Sequence, residues 1–253
     1  YGRASWKFEY LPQDHDYDSK TFLGETGQFN GEDIIDIIVK QPATAHFICR
    51  RLYQFFVSDE IDESDEQNIS TLIDSYFQSH YEIRSVLRVL FNSEHFKNKC
   101  VRFARVKGPI EHVVGAVRMA GSYRKPTLDM DTLAKRTLLM GQAPLRPPSV
   151  EGWHEGVEWI DSGGLMERIN FVAKELGNIQ LPGVHSIIHG VASRGNGIFS
   201  PGELVDHCVD QIGPIDVSEG TRETLVKHVS RRGNVYLRNH ECGSEAEQRV
   251  GEL

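Results

Sequence analysis

Cysteine is scarce in this sequence and dispersed where it occurs. Cys49, Cys100, Cys208 and Cys242 are the only four, and no two of them form a C-x-x-C pair. That spacing excludes a disulfide framework and a zinc ligand set, and it predicts buried free thiols. It leaves the redox compartment open. Long apolar runs are missing as well. Nothing in the sequence approaches the ~20 residues of a membrane span, and no signal-peptide pattern is present. Excess positive charge is also lacking. Lys and Arg number 28 against 36 Asp and Glu, a net charge of −8, which argues against nucleic-acid binding by bulk charge. The local signatures of several enzyme classes are absent. There is no G-x-S-x-G elbow for a serine hydrolase, and no G-x-G-x-x-G or P-loop pattern to cradle a nucleotide. His185 and His189 have the i, i+4 spacing of a metal pair, but Ser186 stands where H-E-x-x-H requires Glu.

What is present is ordinary for a globular chain: 39% hydrophobic and 25% charged residues, enough to bury a sizeable core. From Asn30 onward a helical period dominates. Asn30 is a cap for a helix over residues 32–40 with Ile34, Ile35 and Ile38 inward. Pro42 opens a second helix whose expected core face is Ile48, Leu52, Phe55 and Phe56. Ser64-Asp65-Glu66-Gln67 reads as a capping box for a third, carrying Ile69, Leu72, Ile73 and Phe77. Ile83, Val86, Leu87, Leu90 and Phe91 mark a fourth, and Pro109 opens a fifth with Ile110, Val113, Val114 and Val117 inward. A sixth is predicted over 128–140, and a seventh over 162–176 with Leu165, Ile169, Val172 and Leu176 on one stripe. Residues 177–199 read as loose and Gly-rich. Ser200-Pro201-Gly202-Glu203 starts an eighth helix, a ninth lies near 219–231, and Ser244 opens a tenth. The expected architecture is mainly α, an irregular bundle of nine or ten helices after an extended, loop-rich N-terminal segment. The expected domain layout is an extended segment over 1–30, a helical core over 31–177, and a C-terminal helical segment over 178–253 packed on the same domain.

Within residues 1–30, Ser5 to Tyr10 alternates like a short strand. Asp14-His15-Asp16-Tyr17-Asp18 follows, with Glu25 beyond. Counted from Asp14, the acids fall at positions one, three, five and twelve, as in a calcium loop. Position six is Ser19 rather than Gly, and Pro12 blocks an entering helix. Asp14, His15 and Asp16 remain weak candidates for a looser cation site, beside the plainer reading of a solvated acidic loop. No cofactor is predicted. A second charged feature is the basic run Lys97, Lys99, Arg102, Arg105 and Lys107. Those residue types hold a phosphate, a sulfate or an acidic partner, or else form a solvated connector. Lys107 and Glu111 stand one helical turn apart.

The stretch from Met140 to Trp159 concentrates two of the three tryptophans, three of the ten prolines and three glycines. Pro147-Pro148 stiffens it, while Gly152 and Gly156 permit turns. Trp153 and Trp159 either wall a groove for a sugar or partner, or plug the gap between the sixth and seventh helices. Long ordered loops of this kind are often functional.

Several separated segments resemble a known family in the right order. They are Lys20-Thr21-Phe22-Leu23-Gly24 with Thr26-Gly27, Gln41-Pro42-Ala43-Thr44-Ala45-His46-Phe47 leading to Arg51-Leu52 and Phe55-Phe56-Val57, and Val106-Lys107-Gly108-Pro109-Ile110-Glu111. Met140-Gly141-Gln142 with Pro147-Pro148 and Gly152-Trp153 follows, and then Arg168-Ile169-Asn170-Phe171. The chain resembles the C-terminal half of the bacterial domain of unknown function 1800 (DUF1800) over nearly its whole length. Ser149, Gly108 and His154-Glu155-Gly156 depart from the family pattern. The resemblance implies that an N-terminal helical half precedes this segment and that the last helix continues beyond Leu253, so both ends are expected to be cuts. It carries no known activity. Members look like companions of exported, sulfatase-like proteins, which implies an exported or periplasmic role rather than a cytoplasmic one.

Three function classes stay open from the sequence. The first is a helical scaffold or interaction protein working with a sulfatase-like partner. The second is a hydrolase of polysaccharide or of sulfated or phosphorylated esters, its site shared with the expected N-terminal half. The third is a carbohydrate-binding module using Trp153. The candidate surface comprises Lys20, Lys107, Glu111, Trp153, Trp159 and Arg168. Gathering of these residues around one concavity would favour a shared site, and scattering would favour packing roles.

Overall fold

A computed structural model describes residues 9–123, 125–128, 130–194, 198–213, 215–231, 233–237 and 245–253. The protein is mainly α, as its periodicity predicts, with twelve α-helices among the described residues and only four short strands. Two of the twelve exceed the sequence expectation, the four-residue Glu94–Lys97 and the full helix Pro182–Ala192. No described helix is long and apolar enough to cross a membrane. The expected strand over Ser5–Tyr10 falls mostly outside the described residues, as do Cys242 and the Ser244 cap. The chain divides into two compact units, Tyr1–Arg105 and Val106–Leu253.

In the first unit, a segment expected to be loop contains a hairpin. β1 (Lys20–Phe22) pairs antiparallel with β2 (Glu25–Gly27), with Lys20 opposite Gly27. The turn places Leu23 and Gly24 at φ of 48° and 88°, the doubly positive geometry that suits strand twist and that glycine adopts freely. α1 (Gly31–Val39) is capped by Asn30, which forms a capping box with Asp33. Its buried position is Ile37, whereas Ile35 and Ile38 are exposed. The inward face therefore runs through Ile34 and Ile37, and of the three expected residues only the half-buried Ile34 lies on it. α2 (Pro42–Phe56) shows the same effect. It buries Ala45, Cys49 and Tyr53 at i, i+4, i+8 and leaves Phe55 exposed. Small residues at Ala45 and Cys49 let α3 (Glu63–Gln78) approach closely, and α3 contributes Ile69, Leu72 and Tyr76 to the same core. The α3 cap is Asp62, boxed with Asp65, rather than Ser64. α4 (Ile83–Asn92) closes the cluster with Val86 and Leu90, and α5 (Glu94–Lys97) follows it.

In the second unit, α6 (Pro109–Ala120) is the central helix, packing on α7 (Asp131–Leu139), α8 (Ser162–Leu176) and α9 (Pro182–Ala192). It buries Val113, Ala116, Val117 and Ala120 and exposes Val114. Val113, Ala116, Val117, Met140 and Phe171 make one small core. α9 is the element that the Gly-rich reading of 177–199 overlooks. Pro182 stands in its first turn and Val184, Ile188 and Val191 face inward. Gly183 is what allows it to sit there, since a Cβ at that position would lie 1.9 Å from the Met119 carbonyl oxygen. α10 (Pro201–Ile212), capped by the predicted Ser200–Glu203 box, packs on α9 and on α11 (Glu219–Ser230). β3 (Ile198–Phe199) and β4 (Val235–Tyr236) pair antiparallel around that helical hairpin. α12 (Glu245–Gly251) completes the larger core through Val250.

Candidate functional site

The most informative helix of the second unit is α8. Its sequence stripe points Leu165 and Ile169 inward, yet both are exposed. The buried positions are Gly164, Arg168 and Phe171, at i, i+4, i+7. Asp161 caps the helix by accepting the Gly164 amide at 2.8 Å. A Cβ at Gly164 would come within 3.1 Å of the other carboxylate oxygen, a tight contact that glycine avoids. The helix thus buries an arginine beside Phe171 and turns Leu165, Met166 and Ile169 toward solvent.

Arg168 is 6% exposed, and neither its Nε nor its Nη2 has a hydrogen-bond partner. A buried guanidinium normally finds acceptors for its five donors, because desolvating the charge without them is costly. The same unit contains the satisfied case. Arg249 on α12 is 8% exposed, and its Nη2 donates to the carbonyls of Val229 at 2.9 Å and Gly233 at 2.7 Å. Burial pushes the Arg168 pKa down, and the Asp161 charge opposes that shift.

His112, one turn into α6, donates from Nε2 to the backbone carbonyl of Arg168 at 3.3 Å. Its pKa is lowered, first by burial and then by the positive charges of Arg168 and Lys107, with the carbonyl bond opposing. The positive charges of Arg168 and Lys107 therefore both act on His112. Lys107 is exposed and precedes the α6 cap. The local side-chain acceptors are occupied. Glu111 Oε2 accepts the Gly108 amide at 3.0 Å, and Gln142 Oε1 accepts the Ile110 amide at 2.8 Å. The first turns of α6 and α8 are thus capped by the protein itself, and what stays unsatisfied is the arginine side chain.

The Met140–Trp159 stretch folds against this end of α6 and α8. Trp159 is buried in a 3-10 turn, Gly156–Trp159. Its ring lies against Gly141, whose φ is 97°. With 6% of its surface exposed, the ring is packed into the fold. Trp153 is half-buried, and its indole donates to the Ala143 carbonyl at 3.2 Å. His154 pairs with Glu158 at 2.6 Å. Leu145 and Val150 are almost fully exposed.

The remaining predicted residues belong to the first unit. The Lys20 ammonium donates to the Asp16 carbonyl and, at 3.3 Å, to that of Asp18. It serves the acidic loop. Asp14 ends a 3-10 turn, Asp16 Oδ1 accepts the Asp18 amide at 2.8 Å, and the His15 ring lies against Tyr10 and Tyr17. No three His, Cys, Asp or Glu side chains among the described residues gather as a metal site requires. One polar constellation escaped sequence reading. The Tyr53 hydroxyl donates to Asp65 Oδ1 at 2.5 Å and lies 2.5 Å from His95 Nε2. Its members come from α2, α3 and α5, and no local motif joins them. His112 was likewise missed, although its position one turn after Pro109 places it on the α8-facing side.

No curated protein and no solved structure matches the chain. The family model described as Protein of unknown function (DUF1800) matches residues 2–241, nearly the whole sequence, and the chain belongs to that family.

Proposed function

We propose that this chain is a recognition and assembly protein whose second unit holds an anionic group on Arg168, assisted by Lys107 and His112. The observation that carries this reading is the buried guanidinium with two donors unmatched, in contrast to the similarly buried Arg249, whose Nη1 and Nη2 donate to three backbone carbonyls. Two parallel N–H donors suit the planar edge of a carboxylate, sulfate or phosphate group. Binding is favoured over hydrolysis by the state of the acids. Glycoside cleavage takes two available carboxylates, whereas Glu111 and Asp161 are both held in helix caps.

The finer reading follows the family association. The anion is a sulfate ester or related group on a polymer, and the protein works outside the cytoplasm beside a sulfatase-like partner. Leu165, Met166 and Ile169, exposed along α8, offer apolar surface for such an assembly. Calorimetric titration with sodium sulfate, sodium phosphate and a sulfated oligosaccharide, each against sodium chloride of equal ionic strength, tests the anion site. Saturable heat that disappears in Arg168→Met supports it, and heat no different from chloride refutes it. Co-purification from the native cells tests the partner. Recovery only as an isolated monomer counts against that part alone.

A further inference from the structure

At the other end of α8 lies a cavity of about 370 Å³, lined by Tyr123, Leu133 and Phe171 with Arg136, Asn170 and Glu175, and edged by Thr132 and Lys174. Its size falls in the range of small-ligand sites. Tyr123 adopts a φ of 49°, a backbone conformation that an aromatic residue rarely takes and that is retained where the surroundings enforce it. It follows directly on the C-terminal glycine of α6, Gly121, and Ser122, whose hydroxyl donates to Glu175 at 2.8 Å. The polar lining is fixed in place. Arg136 on α7 bonds Glu167 at 3.2 Å, and Glu175 is oriented by Ser122.

We infer that this cavity binds a single pyranose-sized sugar unit. The lining combines an apolar, partly aromatic floor with planar groups of both hydrogen-bonding senses, namely a guanidinium, an amide and a carboxylate. A sugar ring presents the complement. One face is C–H and packs on Tyr123, Leu133 or Phe171. Its vicinal hydroxyls each donate and accept, so they require a mixed set of partners rather than cations alone. A lone inorganic anion is poorly matched, because Glu175 faces the same space and Arg136 already has its carboxylate. Lys174 at the rim has room for an acidic substituent on the sugar. The inference stands on the α7–α8 cavity and not on the Arg168 site.

Saturation-transfer NMR with glucose, galactose, N-acetylglucosamine and glucuronic acid tests it, with glycerol as the control. The expected result is transfer to ring protons of at least one pyranose with a Kd on the order of 1 mM. Asn170→Trp fills the cavity from an exposed helix position, so the fold is retained and the transfer is expected to disappear. Lys174→Ala is expected to weaken glucuronic acid at least threefold relative to glucose. Absence of transfer from all four sugars overturns the inference, as does transfer that persists in a folded Asn170→Trp variant. Sulfate titration of that variant separates the two sites. Retained sulfate binding with lost sugar binding is expected, and sugar binding without any sulfate binding removes only the Arg168 reading.

Discussion

His112 reaches the backbone carbonyl of Arg168 at 3.3 Å, while the guanidinium of that arginine leaves two buried nitrogens without an acceptor. The imidazole fixes the helix carrying the arginine, and the arginine in turn acts on the imidazole through its charge. On the proposed reading the arginine is held in place before an anion arrives, and the cost of its unmatched donors falls on the unliganded protein.

That cost is measurable. Replacing Arg168 by Met removes an unmatched buried charge and keeps much of the side-chain volume. We expect urea unfolding to show equal or greater stability, by up to ~1–3 kcal/mol, since apolar substitution of ill-compensated buried charge is often stabilising. Sulfate should then stabilise only the parent protein. A variant less stable than the parent without sulfate would mean that Arg168 serves packing.

The sign of the pH response at His112 follows from its depressed pKa. The unfolded chain protonates near the ordinary value of about 6.5, whereas the folded protein resists until lower pH. Stability is therefore full above that ordinary value and declines as pH falls through the folded value. His112→Gln should flatten the slope between pH 7 and 5. Followed by NMR, the imidazole of the parent should titrate below 6.5 and move upward when sulfate is added.

Tyr53→Phe tests the polar cluster of the first unit. The phenol is pushed above its ordinary range by burial and then by the Asp65 hydrogen bond. Removing the hydroxyl leaves Asp65 and His95 without their shared partner, at an expected loss of ~1–3 kcal/mol in chemical denaturation. An unchanged midpoint would show that the existing His95–Asp65 contact at 3.3 Å suffices without the hydroxyl.

The thiols should separate cleanly under alkylation. Burial pushes Cys49 and Cys208 up to about 11, whereas Cys100 is exposed. Exposure of Cys100 corrects the expectation that all the thiols are buried. Iodoacetamide at pH 8 on the native protein should label Cys100 and spare Cys49 and Cys208 by peptide mass mapping. Rapid labelling of Cys49 would indicate that the α2–α3 core opens readily.

Gly183→Ala should be among the most damaging single changes in the second unit. The new methyl meets the Met119 and Ala120 backbone, which has no rotamer to yield. The expected loss is at or above the upper end of ~1–3 kcal/mol, read as a lowered thermal midpoint. Tolerance would mean that α6 and α9 are less closely apposed than the backbone indicates.

Capping chemistry made much of the helical layout legible. Asn30, Pro42, Pro109, Ser200 and Pro201 stand at helix starts because their side chains and missing amides have local meaning. Faces were harder. Cys49, Ala45 and Gly164 look like poor core residues by hydrophobicity, yet small size is what a close helix crossing selects. α9 was hidden for the same reason, since Gly183 and Gly190 read as loop while serving contact with α6 and Gln211. Of the candidate surface, Lys107, Glu111, Trp153, Trp159 and Arg168 share the second unit, but Trp159 is filled into the fold and Lys20 belongs to the first. Sequence pattern names Arg168 without revealing that it is inward and unmatched, because that depends on which acceptors the neighbouring helices fail to supply.

The pairing of Ile198 and Phe199 with Tyr236 and Val235 brings together the two points where the chain enters and leaves α10 and α11. A break in the backbone between Ile212 and Glu219 would therefore produce two pieces, each carrying one strand of the ladder and its own share of the buried surface. Such pieces have a defined way to find each other again. The connection between these helices is thus a natural place to divide the protein into complementing fragments or to graft a reporter, with the whole of α8 lying on one fragment.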